Sequence, residues 1–369
     1  MRFSIERDGL LKPLQAVHGV VERRQALPIL SNVLIRAEEG RLSLTGTDTE
    51  VELIARQEAV IDEPGEVTVP ARKLLDILRA LPADGQISFL LEGDRVALRC
   101  GRSRFTLATL PASDFPATEA LVDASRVQIS PTTLRRLIEL TQFGMAQQDV
   151  RYYLNGMLFE LSGTRLRTVA TDGHRLALAE GQVESEADVE SRDLIVPRKA
   201  VVELLKVINA AGESLELLIG ANAIQLDTGA VAFTSKLIDG KFPDYRRVIP
   251  DREEDAKVVI ADRDLVRQSL QRAAILSNEK YRAVRLALEP NQLLVAASNP
   301  DLEEAEDVVE VDYEGDSLEI GFNVNYLIDA LGTVPSDRVR ILLTDASSSC
   351  LILPEEGEGC EYVVMPMRL

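Results

Sequence analysis

The chain has 369 residues, 46% hydrophobic and 4% aromatic, with a formal net charge of −19. That length allows two or three domains with ample cores. No apolar run approaches the ~18 residues of a membrane helix, and the N-terminus lacks a signal-peptide pattern. Three cysteines (Cys100, Cys350, Cys360) without CxxC spacing indicate neither a disulfide framework nor a zinc knuckle, so a reduced, cytoplasmic setting is expected. His18 and His174 are the only histidines and cannot supply a His-rich metal site, and no cofactor is expected. The negative charge argues against a nucleic-acid partner only if it is evenly spread. It is not: acids crowd 184–190, 251–255, 301–314 and 355–361, while basic residues recur in the expected helices.

In chain order, Asp8 precedes a helix with Leu10, Leu14 and Val17 on one stripe. Arg41–Thr45 alternates as a strand, as do Ser103–Leu107 and Glu216–Ile219. Gly40, Gly93, Gly163 and Gly315 fall where hairpin turns are expected. From residue 72, Leu74, Ile77, Leu78 and Leu81 share one side of a helix, with Arg72, Asp76 and Arg79 on the other. Ser130-Pro131 starts a helix that buries Leu134, Leu137, Ile138 and Thr141 and turns Arg135, Arg136 and Glu139 outward. From residue 198, Val201, Leu204, Leu205 and Ile208 are expected inside, with Lys199 and Lys206 opposite. Val266, Leu270 and Ala273 stripe a fifth helix, with Arg267 and Gln271 facing away. A sixth, from Asn323, turns Asn325, Tyr326 and Asp329 outward and carries no lysine or arginine.

These elements repeat. Val69-Pro70-Ala71-Arg72-Lys73-Leu74-Leu75-Asp76 returns as Val196-Pro197-Arg198-Lys199-Ala200-Val201-Val202-Glu203, and more faintly at Gly321–Asp329. Leu44–Asp48, Thr168–Asp172 and Val295–Asn299 keep step with them. The period is about 125 residues, a whole domain. The expected fold class is α+β: three repeated domains, 1–120, 125–250 and 251–369, each with two helices on antiparallel sheet. Head-to-tail copies either close or run on as a filament. In a closed dimer, twelve helices spaced about 10 Å apart lie on a circle about 38 Å across, leaving about 28 Å clear inside, wide enough for a DNA duplex. Basic residues on outer helix faces commonly serve solubility. Their recurrence on five of six helices of an acidic chain also suits sequence-independent phosphate contact, weakened by salt.

Asn155–Glu160, Thr168–Leu176, Phe233–Pro250, Ala274–Tyr281 and Tyr362–Leu369 resemble the bacterial DNA polymerase III β sliding-clamp family. The resemblance covers all three repeats. It implies a DNA-clamp fold closing as a head-to-tail homodimeric ring, with no enzymatic activity and no membrane association. It also implies loading by a clamp loader and tethering of DNA polymerases and repair proteins to duplex DNA through short hydrophobic motifs. A paralogous clamp with a specialised role is the nearest alternative. A repeat-built hydrolase using Asp172 and His174 is another, though no third orienting group or nucleophile lies near them in sequence.

Carried over residue by residue, the resemblance implies a partner-peptide cleft of Leu154, Thr171, Gly173, His174, Arg175, Leu176, Pro243, Arg247, Val248 and Ser349, with the tail Val363, Val364, Met365, Pro366, Met367 and Arg368. The tail also reads as a last strand, with Met365 and Met367 facing the groove, where methionine suits a surface that repacks around varied peptides. DNA contact is expected from Arg24, Gln148, Arg151, Tyr152 and Tyr153 on two equivalent loops, and from Arg72, Lys73, Arg79, Arg198, Lys199 and Lys206 on helices. The loops equally read as solvated, with one tyrosine as an anchor. Phe105 and Leu107 alternate on an expected edge strand, and the resemblance implies that they meet Ile275 and Leu276 across the dimer interface. There Arg102 and Arg104 pair with Glu303, Glu304 or Glu306, selecting head-to-tail pairing.

Overall fold

Tight hairpins set the architecture, and at three of them glycine supplies the left-handed backbone: Gly40 (φ 77°), Gly93 (φ 62°) and Gly163 (φ 57°). Gly315 was expected to do the same in the third repeat, but its φ is not positive. The hairpin there turns on Asn291 (φ 61°), between strands Ala283–Glu289 and Gln292–Ser298, asparagine being the next residue to tolerate that region. The computed structural model describes the chain except residues 23–26, 117, 119, 120, 122, 123, 186–190, 210, 211, 213, 251–255, 358 and 369.

Two compact units result. The first comprises 1–132, 183–189 and 199–237 and holds a five-stranded and a nine-stranded sheet. In the nine-stranded sheet, Val51–Glu58 pairs antiparallel with Val231–Lys236, setting Leu53 opposite Phe233. Val51, Leu53 and Ala55 are buried on one face, while on the other Ile54 and Arg56 are half-exposed and Glu52 is buried. In the five-stranded sheet Phe3 stacks on Phe89 with ring centroids 4.5 Å apart, and Ser103–Ala108 forms one end strand. The second unit comprises 133–182, 190–198 and 238–369, with an eight-stranded and a four-stranded sheet. In the eight-stranded sheet Arg175–Gln182 pairs with Cys360–Val364. In the four-stranded sheet Glu304–Glu310 is an end strand.

Six α-helices are present among the described residues: α1 (Arg7–His18), α2 (Ala71–Ala80), α3 (Pro131–Thr141), α4 (Arg198–Ile208), α5 (Arg263–Ala274) and α6 (Val324–Thr333). α1 starts at Arg7, two residues earlier than its sequence suggests, placing Asp8 inside the first turn, where a carboxylate favours the helix dipole. α2 buries Leu74, Leu75 and Leu78 and leaves Arg72, Lys73 and Arg79 exposed; each fully buried leucine contributes roughly 2 kcal/mol. On α3, Arg135 and Arg136 were expected outside but are half-buried, and Arg136 Nη1 donates to Glu180 O at 3.4 Å. Arg267 of α5 is likewise half-buried. Long cationic side chains lay their stems along apolar surface, which a helical wheel does not register. On α4, Leu205 is half-exposed, while Glu203 and Val207 are buried.

Candidate functional site

The turn between strands Arg165–Thr171 and Arg175–Gln182 organises the proposed cleft. Thr171 Oγ1 donates to Arg175 O at 2.6 Å, and Asp172 Oδ1 accepts from the backbone nitrogens of His174 (2.9 Å) and Arg175 (3.1 Å). Gly173 sits at φ 88°, a conformation glycine adopts without strain. Asp172 and His174 therefore lie on a turn. The carboxylate is taken up by backbone donors and by Arg175 Nε at 3.1 Å, so it clips the turn rather than orienting the imidazole as an acid–base pair. The His174 ring instead stacks on Tyr326 of α6, centroids 6.3 Å apart.

Arg175 is a clasp. Its guanidinium donates to Asp329 Oδ2 (2.5 Å) and Phe143 O (2.9 Å) and lies over the rings of Tyr326 (4.6 Å) and Phe143 (5.3 Å). Beneath the turn, Leu154, Leu176 and Val363 are buried in one apolar cluster with Phe242, Tyr245 and Leu351, and Val248 packs against it half-exposed. Pro243 and Arg247 are exposed beside it, with Arg247 Nε 2.9 Å from Asp244.

The tail divides. Val363 and Val364 complete the strand paired with Leu176 and Arg175. The Met365 N–H donates to His174 O at 2.9 Å, and Ser349 Oγ lies 3.0 Å from Met365 Sδ, placing half-exposed Met365 and Pro366 beside the turn. Met367 N donates instead to Gly321 O at 2.8 Å. Met367 and Arg368 line a separate groove of about 580 Å³ with Tyr281, Arg285, Glu304 and Glu306. The single groove expected for Met365, Met367, Leu176 and Val248 is thus not what the structure forms around Met367.

Of the expected DNA-facing residues, Arg24 lies outside the described residues. Arg72, Lys73 and Arg79 stand exposed on α2, Arg72 only loosely paired with Asp76 at 3.9 Å. The solvated placement expected for Lys199 is corrected: its ammonium contacts Asp48 (2.5 Å), Glu22 (2.8 Å) and Val20 O (3.0 Å). Burial alone lowers its pKa, and the hydrogen bonds to Asp48 and Glu22 outweigh this and raise it. Arg198 is half-buried and donates to Met145 O at 2.9 Å; burial and the neighbouring Arg175 charge lower its pKa. Lys206 is exposed and holds the buried Glu203 carboxylate at 2.7 Å.

The loop before strand Gly156–Ser162 is rigidly stitched. Asn155 accepts from Asp149 N (2.9 Å) and donates to Asp149 O (2.8 Å), while Arg151 grips the Asp149 carboxylate at 3.0 and 2.8 Å. Hydrogen bonding from Arg151 holds the Asp149 pKa down at about 2. Arg151 also reaches Asp172 O at 3.1 Å, joining this loop to the turn. Gln148 (φ 54°) and Tyr152 project into solvent, and Tyr153 packs half-buried on the apolar cluster, edge-on to Tyr152 at 5.8 Å. The roles of Asp149, Asn155, Phe143 and Asp48 escaped sequence reasoning. Asp48 appeared only in the Thr-Asp turn marker it shares with Asp172, and Asn155 only as the first residue of a motif.

The expected closure residues lie on two sheet ends. Strand Ser103–Ala108 carries exposed Arg104, half-buried Phe105 and buried Leu107, with exposed Arg102 just before it. Strand Glu304–Glu310 carries exposed Glu304 and Glu306, with exposed Glu303 just before it. After α5, Ile275 is 76% exposed and Leu276 half-buried.

Known proteins match this arrangement over its whole length. Family models described as the N-terminal, central and C-terminal domains of the DNA polymerase III beta subunit match residues 1–119, 128–244 and 246–368. The beta sliding clamps of Pseudomonas putida and Escherichia coli (strain K12) are 52% and 50% identical over 370 residues, covering both chains completely. Crystal structures of the Pseudomonas aeruginosa sliding clamp, one with a ligand and one bound to griselimycin, align with a TM-score of 0.95 at 50% and 51% identity, again over all of both chains. With three successive domain models matched and full-length relatives at half identity, this chain belongs to the DNA polymerase III β-subunit family of sliding clamps.

Proposed function

We propose that two copies of the chain join head to tail in a ring around duplex DNA and tether polymerases and other DNA-processing proteins to it in the cytoplasm. The chain is a non-catalytic processivity subunit, and its hold on DNA is topological. The observation that carries this reading is how the last strand of each repeat is paired. Val231–Lys236 pairs with Val51–Glu58, and Cys360–Val364 pairs with Arg175–Gln182. In both, the strand that follows a Thr-Asp turn meets the closing strand of the next repeat. The remaining strands of these two kinds, Glu304–Glu310 and Ser103–Ala108, each end a sheet. Exposed edges invite pairing, and here one is basic and the other acidic. A second copy supplies both missing halves, and two such junctions close the assembly.

Within this reading the repeats run 1–120, 125–250 and 251–369. Arg72, Lys73 and Arg79 on α2, with Gln148 and Tyr152, contact phosphates or an exposed base. The groove over Leu176 and Val363 takes short hydrophobic motifs of polymerases, the clamp loader and repair proteins. Retention on DNA circles tests the ring: the protein is expected to persist at high salt and leave when the circle is cut. Ile275→Ala with Leu276→Ala removes two apolar side chains worth about 2–4 kcal/mol each where fully buried, and is expected to give a folded monomer. An undisturbed dimer in that variant, or equal retention on linear DNA, overturns the reading.

A further inference from the structure

The turn Thr47–Val51 reproduces the hydrogen bonding of the turn Thr171–Arg175. Thr47 Oγ1 donates to Val51 O at 2.9 Å, as Thr171 does to Arg175 O. Asp48 Oδ1 accepts from Glu50 N (2.9 Å) and Val51 N (2.8 Å), as Asp172 does from His174 and Arg175. Thr49 takes the left-handed conformation of Gly173, with φ 78° against 88°. Lys236 N donates to Glu50 O at 2.9 Å, just as Met365 N donates to His174 O at 2.9 Å. Even the Phe-Pro pair is repeated, with Phe115 and Phe242 both buried.

The backbone has therefore built a second groove, of about 540 Å³, in the first unit. Its chemistry is inverted. Where the first groove has Leu176 and His174, this one has Glu52 and Glu50, and Lys236 stands in the place of Met365. Glu50 and Lys236 pair at 3.5 Å, both more than half exposed, so they satisfy each other at the rim. Glu52 is only 9% exposed yet lines the groove, with Pro116 and Leu121 among the walls. Burial raises its carboxyl pKa, against the opposing hydrogen bond from Thr118 and the charge of Arg36. A carboxylate held so far from water is stabilised by any cation that reaches it with good geometry.

We propose that this second groove binds a linear peptide segment through a lysine or arginine side chain set against the Glu52 carboxylate. The extended form of the occupant rests on the reading of the first groove as a peptide site, and the cationic anchor rests on Glu52 itself. The apolar stem of the basic residue packs along Leu121 and Pro116 while its head meets the carboxylate.

The test uses the full-length protein with methyl NMR at Val51 and Leu121. The probes are Ac-Ala-Leu-Lys-Leu-Ala-NH2, the same peptide with norleucine for lysine, and n-butylammonium. The lysine peptide is expected to shift both methyls, and the norleucine peptide to bind at least about tenfold more weakly. Glu52→Leu, which copies Leu176, is expected to reverse that preference. Glu52→Gln, which keeps the shape and the Thr118 bond, is expected to abolish it. Equal binding of the two peptides, n-butylammonium binding as tightly as the lysine peptide, or shifts confined to other methyls overturns the proposal. A hydrophobic peptide read at the Leu176 and Val363 methyls runs in parallel. Its failure would count against the first groove, not against the anchor at Glu52.

Discussion

The Arg175 guanidinium and the Asp329 carboxylate meet at 2.5 Å, fastening the turn that borders the proposed peptide cleft to α6. Arg175 is 13% exposed and makes four other contacts, to Asp172, Tyr326 and both the carbonyl and the ring of Phe143, whereas Asp329 is 45% exposed. Arg175→Ala is therefore expected to cost about 3 kcal/mol, by leaving Asp172 and Phe143 O short of donors and emptying the space between two rings. Asp329→Asn is expected to cost no more than about 1 kcal/mol, the range for exposed pairs. Lysine at 175 recovers little, lacking the planar fork that stacks and donates in three directions. Urea unfolding separates these outcomes, and equal losses in the two single variants would show that the ion pair, not the clasp, carries the stability.

Cations on the helices fall into two kinds, and substitution is expected to tell them apart. Lys199→Met leaves Asp48 and Glu22 facing a neutral side chain, with Asp48 9% exposed, so a loss of about 2–3 kcal/mol is expected. Arg72, Lys73 and Arg79 changed together to glutamate are expected to leave unfolding unaltered, because all three are exposed. That triple variant is expected to weaken loading onto DNA and to reduce the salt slope by about one unit for each phosphate no longer engaged. A stable Lys199→Met protein, or unchanged loading in the triple variant, would reverse the two assignments.

The repeat, the α+β class and most buried stripes were legible in the sequence, because hydrophobic period and turn chemistry are local. Leu74 and Leu78, or Leu42 and Leu44, declare their face by spacing alone. What stayed hidden depends on partners distant in sequence. Lys199 looks like any outward lysine on a wheel, since Asp48 and Glu22 come from another repeat. Arg175 reads as a groove residue until Phe143, Tyr326 and Asp329 are placed around it. The tail looked uniform because the alternation of Met365 and Met367 says nothing about which strand each will meet.

Asp149 offers a titration with a definite sign. Its folded pKa of about 2 lies below the ordinary 3.8, so its contribution to stability is present above 3.8 and disappears as pH falls toward 2. Arg151→Met removes both side-chain hydrogen bonds that hold the carboxylate ionised. Carboxyl NMR is expected to give a midpoint near 2 in the parent and a higher one in the variant, still below 3.8 because the residue 151 backbone N–H keeps donating to the carboxylate. A parent midpoint near 3.8 would mean that the Arg151 grip does not persist in solution.

The tail decides whether the first groove recruits partners through Met365. Removing residues 365–369 also removes the Met367–Gly321 bridge, so that truncation is expected to lower stability as well as abolish peptide binding. Single substitutions separate the two effects. Met365→Ala keeps the strand Cys360–Val364 and the bridge, and strips only the thioether beside Ser349. A short peptide with a glutamine and two hydrophobic anchors is expected to bind the parent at micromolar affinity at best, because ordering a flexible chain offsets much of a small contact. Met365→Ala is expected to weaken that binding about tenfold, equivalent to about 1.4 kcal/mol. Met367→Ala, in the neighbouring groove with Tyr281 and Arg285, is expected to leave it unchanged. Calorimetry with that peptide measures all three affinities directly. Equal affinity for the parent and Met365→Ala would move the partner site away from the tail, and a loss confined to Met367→Ala would place it in the groove beside Glu304–Glu310.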